Sequence, residues 1–380
     1  MKCIWFFLLI SPVLQASAQS QSKSLAIVRS AFIYDTAPFP QCHAATIAET
    51  PKGLVTAFFG GTGEGRPDVC IYVCRKDRGS TTWSTPVKVA TGIRNDTLRY
   101  ACWNPVLYQM PGGDLLLFYK VGPNVAKWKG WLIRSNDGGV TWSKPWALPE
   151  GFLGPIKNQP VRLADGALLC PSSVEGHGWQ IHFELTRDGG KTWLLSEPVP
   201  VPPPAATGAE PNSEDEVTAS FEAIQPAILV YRNGTIQALS RSKNRMILAT
   251  ESKDNGRTWS ALAATPLPNN NSGIDAVTLK DGRQLLVYNH VLPPEGKSRG
   301  ERSPLNVALS PDGKTWYAAL VLEDDHTGEY SYPTVIQSSD GKVHIVYTWH
   351  RKKIKYVEID PARLRFEKIK NGLWPPTIKK

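Results

Sequence analysis

The chain is short of sulfur, of charge and of long apolar runs. Of its 380 residues only 3 are Met and 6 are Cys, and charged side chains make up 20%. Cys70 and Cys74 stand four apart on an expected strand, on one face and about 13 Å apart, too far to bridge. No Cys-x-x-Cys or His-x-x-x-His spacing occurs, so a structural zinc site is not expected, and nothing calls for another metal or cofactor. With Cys3 in the leader, Cys42, Cys70, Cys74, Cys102 and Cys170 remain. An odd count of this kind is not a disulfide framework.

One apolar stretch, Ile4 to Leu14, follows Lys2 and precedes the small-residue site Ala16-Ser17-Ala18. It is too short to span a bilayer and reads as a cleaved signal peptide over residues 1–18. Residues 19–380 are then expected as one exported domain, with no membrane insertion. The net charge of +9 comes from Lys and Arg spread along the chain. The densest run, Arg351-Lys352-Lys353 with Lys355, reads as a solvated strand end. Basic and aromatic residues do not interleave, so nucleic acid is not the expected partner. What the chain has in plenty is Gly and Pro, 31 of each. That abundance excludes long helices and favours many short strands joined by turns.

The 13 Trp residues have a structural cause. Five close a repeated motif: SNDGGVTW (135–142), TRDGGKTW (186–193), SKDNGRTW (252–259), the shorter SPDGKTW (310–316) and a degenerate DRGSTTW (77–83). These Trp residues lie 59, 51, 66 and 57 apart, an interval that suits one four-stranded unit. A second marker runs in phase: Gly53, Gly113, Gly166, Gly234, Gly282 and Gly341 each sit between an apolar segment and an alternating one. That is hairpin chemistry, with Gly taking a positive φ. Six hairpins with five Asp turns imply six units; the last has only Asp360-Pro361 near the place of its turn. Sheets that cannot bury both faces alone close radially, so the expected fold is all-β, a six-bladed β-propeller with four antiparallel strands per blade. An N-terminal strand within residues 25–34 completes blade six. The Pro-rich stretch 197–218 reads as a long connection between blades three and four.

In this geometry the Asp turns, which precede each fourth strand, fall on the face away from the functional rim. Their Asp and Trp are structural. The opposite rim is lined by residues before the first strand of each hairpin and after the second. In blade order these are His43, Glu64, Arg66 and Asp68; Asn104 and Lys120; Lys157, Asn158, Gln159, Glu175 and His177. Then come Glu222, Gln225 and Arg241; Asp275, Asn289, His290 and Arg302; Tyr330, Tyr332, Trp349 and His350. So many polar side chains converging on one mouth suit a polar ligand.

The Asp-box repeats and these rim residues resemble the sialidase (neuraminidase) superfamily, over essentially the whole mature chain. The resemblance implies a Tyr nucleophile, a Glu that polarises it, an Asp acid/base and three carboxylate-gripping arginines. Carried over by motif, Tyr330-Ser331 is similar to the nucleophile segment, Glu222 to the polarising Glu and Asp68, within Glu64-Gly-Arg66-Pro-Asp68, to the acid/base. Arg241 and Arg302 match two of the arginines. The family opens blade one with Arg-Ile-Pro, where this chain has His43-Ala-Ala; Arg66 would compensate. Gln159, Asp275, His290 and His350 complete the expected substrate contacts.

The chemistry is coherent. A Tyr with its ordinary pKa of about 10 needs a base, and a neutral nucleophile suits an anomeric carbon that bears a carboxylate. The expected activity is release of a terminal acidic sugar from glycans by a sialidase-type exo-glycoside hydrolase, with an acidic glycan as partner. Two other readings stay open: a lyase acting on uronic acids through a His and Tyr pair drawn from His43, His290 and His350 with Tyr332, and a non-catalytic carbohydrate-binding propeller.

Overall fold

A computed structural model describes residues 24–176, 178–203 and 216–379. The expected signal peptide, His177 and the middle of the Pro-rich connection lie outside the described residues. Short alternating strands separated by Gly turns give six antiparallel sheets, the six-bladed propeller expected. Blade one is Gln41–Thr50, Gly53–Gly61, Cys70–Asp77 and Val87–Ala90, and blade two is Ala101–Gln109, Leu115–Gly122, Lys129–Ser135 and Trp146–Ala147. Blade three is Val161–Arg162, Leu168–Val174, Gln180–Thr186 and Leu194–Leu195, and blade four is Ala223–Val230, Ile236–Ser242, Met246–Ser252 and Ala263–Pro268. Blade five is Asp275–Thr278, Gln284–Tyr288, Leu305–Ser310 and Tyr317–Glu323, and blade six is Tyr330–Gln337, Val343–Trp349 and Lys353–Ile359.

The N-terminal strand Ile27–Phe32 pairs antiparallel with Lys353–Ile359 and supplies the fourth strand of blade six, so the ring is locked by the two ends of the chain. Blade five departs from four strands. Glu367–Lys368 pairs with Ala318 and Tyr317 as a fifth, covering an edge that would otherwise present unpaired backbone groups. The six hairpin glycines all have positive φ, from 83° at Gly234 to 138° at Gly53.

The Asp turns at Asp137, Asp188, Asp254 and Asp312 are local hydrogen-bonding units. Asp137 Oδ1 accepts the amides of Val140 and Thr141 at 3.0 and 2.9 Å, and its Oδ2 accepts the Thr141 hydroxyl at 2.6 Å. The same pattern recurs at Asp188 and Asp254. The Trp that follows packs on the preceding blade. Trp259 of blade four stacks on Phe183 of blade three at 3.7 Å and 13°, Trp193 meets Phe118 of blade two, and Trp83 of blade one meets Tyr356 of blade six. At Gly313 a Cβ would lie 1.8 Å from the Tyr231 hydroxyl of blade four, and φ is 69°, so only Gly fits. The repeat thus encodes the blade-to-blade contact, each burying apolar area at about 25 cal/mol per Å². Blade six makes its turn with Asp360, which caps the short Pro361–Arg363 turn through the Ala362 amide.

The five cysteines among the described residues are buried free thiols. Burial pushes Cys42 up to about 12, against the lowering hydrogen bond from Tyr34.

Candidate active site

The first strand of four blades carries one recurring irregularity. Register shifts fall at His43/Thr46, Trp103/Val106, Ile224/Ala227 and Ser331/Thr334. Within each shift one residue has positive φ: Ala44 (54°), Asn104 (34°), Gln225 (57°) and Tyr332 (52°). Pro105, Pro226 and Pro333 follow three of them; Pro cannot donate to the ladder and is tolerated at such a bulge. A bulge re-aims its side chain. In blade six it swings Tyr332 onto the propeller axis, where groups from several blades meet.

Arg241 Nη1 of blade four donates to the Tyr332 hydroxyl at 2.8 Å, and Gln225 Nε2 donates to it at 3.2 Å. The His43 ring of blade one lies 4.2 Å from the Tyr332 ring, centre to centre. The Arg302 guanidinium and the Lys157 ammonium each stand 5.8 Å from that ring. Arg241 is braced from below by Asn271 Oδ1, at 3.2 Å from Nε and 2.7 Å from Nη2, and its plane faces Trp179 at 4.9 Å. Fully buried His43 is held well below the usual histidine range, first by burial and then by Arg351, Arg302, Lys157 and Arg241. Three cations therefore flank the Tyr332 phenol, and Arg351 joins them in the field around the neutral imidazole of His43. Its Nδ1 is 2.9 Å from the Thr348 hydroxyl, while His43 Nε2, Asn271 Nδ2 and Glu175 Oε1 have no hydrogen-bond partner among the described residues. Unpaired buried polar atoms are costly and mark where a polar ligand would be gripped.

Lys157 closes the waist of the channel beneath Tyr332. Its ammonium donates to Asn158 Oδ1 and to the carbonyls of Ile274 and Pro333. Burial lowers its proton affinity and raises that of its partner Asp275, and each opposes the effect on the other. Asp275 also accepts the Val335 amide at 2.8 Å.

Several expected site residues lie elsewhere. The Glu222–Tyr330 pair does not form. Tyr330 bonds His350 Nε2 at 3.0 Å, and burial, with Asp325, Glu323 and Asp324 nearby, pushes its phenol up to about 12. Glu222 pairs with Lys243 at 3.1 Å and accepts the Trp179 amide at 3.0 Å. The reason is the bulge: by shifting register it gives Tyr332, not Tyr330, the axial direction, and Gln225, not Glu222, the neighbouring place. Gln159 is spent bridging the carbonyls of Ile47 and Leu107. With Asp275 it lines a cavity of about 370 Å³ on the far side of the waist, beside Glu49 and Gln337 at the opposite strand ends. His290 anchors the C-terminal segment, with Nδ1 at Tyr288 Oη and Nε2 at the Gly372 carbonyl, 2.8 Å away, and its ring against Trp374. Asp68 sits at the rim; slight burial pushes its carboxyl up, but the Thr62 hydroxyl and amide, each 2.8 Å away, hold it below its usual range. Arg66 is exposed on the same turn. Arg351 takes the blade-six side of the site, bonded to Glu329 at 2.7 Å and to Glu64, and Glu329 is 3.5 Å from Arg302. Among the described residues no three His, Cys, Asp or Glu side chains are grouped to hold a metal.

The signal that would have found Tyr332 and Gln225 is the Pro after each: Asn104-Pro105, Gln225-Pro226 and Tyr332-Pro333 occupy equivalent places in their blades.

Known proteins agree with the architecture. Residues 52–345 match the family model described as a BNR repeat-like domain. A search of curated proteins gives no match. Among solved structures, a protein of unknown function from Dyadobacter fermentans is 18% identical with a TM-score of 0.67, the match covering 89% of this chain and 99% of that one. The NanB sialidase of Streptococcus pneumoniae is 14% identical (TM-score 0.65, 88% and 71% covered). The intramolecular trans-sialidase of Ruminococcus gnavus is also 14% identical (TM-score 0.64, 90% and 100% covered). Such identities establish a shared fold. The match to the family model spans most of the chain, and the protein belongs to the BNR repeat-like family, with the sialidase-like six-bladed propeller.

Proposed function

We propose that the chain is an exported exo-glycoside hydrolase of sialidase type that releases a terminal acidic sugar, with Tyr332 in the role expected for Tyr330. One observation carries this: Arg241, Arg302 and Lys157 converge on a single phenol at the axis. A carboxylated sugar is the ligand that such a set of cations selects: Arg302 Nη1 has no hydrogen-bond partner among the described residues and is open to a charge-assisted bond. The Tyr332 oxygen, held by the Arg241 guanidinium, attacks the anomeric carbon as the glycosidic bond breaks, and its proton passes to the neutral His43 ring packed beside it. Water then displaces the tyrosine oxygen, which takes that proton back, and the sugar leaves.

A second reading is favoured by one specific feature. The Tyr332 hydroxyl is bonded to Arg241 and Gln225, neither able to take its proton, while the neutral His43 ring packs beside it. A His and Tyr pair next to a neutralising Arg is the equipment for removing the proton α to a uronate carboxylate, which gives elimination.

Product mass decides between them. Purified protein is incubated with a panel of sialylated and uronate-terminated oligosaccharides. A gain of one water per cleavage supports hydrolysis; an unsaturated product absorbing in the ultraviolet without water gain supports elimination. Tight binding with no product leaves neither chemistry standing.

A further inference from the structure

The geometry points to Glu175 as the catalytic acid that protonates the leaving-group oxygen, with the groove beside it receiving the leaving group. This deepens the hydrolytic reading above and rests on it. Glu175 follows the second strand of blade three, at the edge of the funnel. Its carboxylate lies against the amide of Gln225 and within the field of Arg241, and the same Gln225 amide donates to the Tyr332 hydroxyl at 3.2 Å. The Gln225 carboxamide thus neighbours both the phenol and the carboxylate. Glu175 Oε1 has no hydrogen-bond partner among the described residues.

Glu175 also lines a second space. A groove of about 450 Å³ runs outward over blades two and three, bounded by Lys127, Trp128, Phe152, Leu153, Val174 and Glu175. The carboxylate stands where this groove meets the cationic pocket. A glycan whose acidic terminal sugar is held at Tyr332 would pass its bridging oxygen across that junction. Val174 is exposed and Phe152 half-buried, which gives the next sugar an apolar surface to lie on, with Lys127 and Lys129 at the margin.

The surroundings suit a proton donor. Burial raises the proton affinity of Glu175, Arg241 and Gln225 oppose this, and the charge of Glu64 reinforces it. Asp68, the other carboxyl on this rim, is held in the ionised form by Thr62. The steps balance. In the first, the Tyr332 oxygen forms a bond to the anomeric carbon and gives its proton to the neutral His43 ring, the glycosidic C–O bond breaks and its oxygen takes the Glu175 proton. In the second, the Glu175 carboxylate takes a proton from water, the hydroxide oxygen bonds the anomeric carbon, and the tyrosine oxygen is released and takes its proton back from His43.

The test compares leaving groups in Glu175→Gln and Glu175→Asp. The probes are 3′-sialyllactose and 4-nitrophenyl N-acetylneuraminide, or the lactosyl and 4-nitrophenyl glycosides of whichever acidic sugar the unmodified protein cleaves in the panel. With a sugar leaving group, Glu175→Gln loses about 10³-fold in kcat/KM, the range of a general acid. With 4-nitrophenolate, which leaves without a proton, the loss is about tenfold. The basic limb of the pH profile for the sugar substrate disappears in Glu175→Gln and survives, at lower rate, in Glu175→Asp. Equal losses on both substrates, with an unchanged melting midpoint, overturn the role of Glu175 and leave the hydrolytic reading intact. Unmodified protein that cleaves no glycoside of the panel overturns both.

Discussion

The two faces of the propeller are made from the same strands yet follow opposite rules. On the far face the Asp turns bond locally: Ser135, Asp137, Gly139 and Thr141 exchange side-chain and amide hydrogen bonds within seven residues. On the funnel face polar atoms converge from different blades and some stay unpaired, His43 Nε2 and Glu175 Oε1 among them. One face is built of local contacts and holds the ring together. The other gathers polar groups from several blades and is held in place by that ring.

The largest effect expected from breaking this contrast comes at the axis. Tyr332→Phe should lower kcat by on the order of 10³-fold on the substrate found in the panel, while thermal unfolding shifts little. A large drop in melting midpoint with activity retained would move Tyr332 to the structural side. Next is Trp259→Ala on the far face, which strips the stack on Phe183 and the bond from its Nε1 to the Gly256 carbonyl. It should cost about 3 to 5 kcal/mol of stability, read by denaturant unfolding, with KM unaltered in the protein that remains folded.

Tyr330→Phe separates the two tyrosines that stand two residues apart. It removes one hydrogen bond, to His350, and should cost about 1 kcal/mol with kcat within roughly threefold of normal. A loss as deep as that of Tyr332→Phe would return the nucleophile to Tyr330. The smallest effect is acid sensitivity of the far face. Hydrogen bonds from Thr and backbone groups hold Asp137, Asp188, Asp254 and Asp312 below the ordinary carboxyl range, with Asp254 at about 2. A carboxyl depressed in the folded state adds stability above its unfolded value of about 4 and loses it as pH falls through the folded one. Melting midpoints between pH 5 and pH 2 should therefore fall less in Asp254→Asn than in the unmodified protein, from a lower starting point.

The repeats made the fold legible because their physics is local. An Asp accepting the amides three and four residues on, a Gly at positive φ and a Trp reaching the preceding blade are all written within eight residues. The closing N-terminal strand followed from counting, since blade six has only three strands of its own. The site was harder. The rim list contained Tyr332, Gln225, Lys157 and Glu175 beside residues that turn elsewhere, and motif spacing favoured Tyr330 and Glu222. A bulge of one residue reverses which side chain faces the axis, and resemblance carried over by motif does not register it. His290 was unreadable for another reason, because its partners Gly372 and Trp374 are some eighty residues away.

The amino-acid order alone determined the number of blades, their class and which face is structural, since those depend on turns and alternation that any short segment expresses for itself. The tertiary structure alone decided which tyrosine stands on the axis, that Gln225 and Arg241 hold it, and that Lys157 and Asp275 shut the channel below. Those are relations between blades, set by bulges and by ring closure, and no single blade contains enough of the site to specify them.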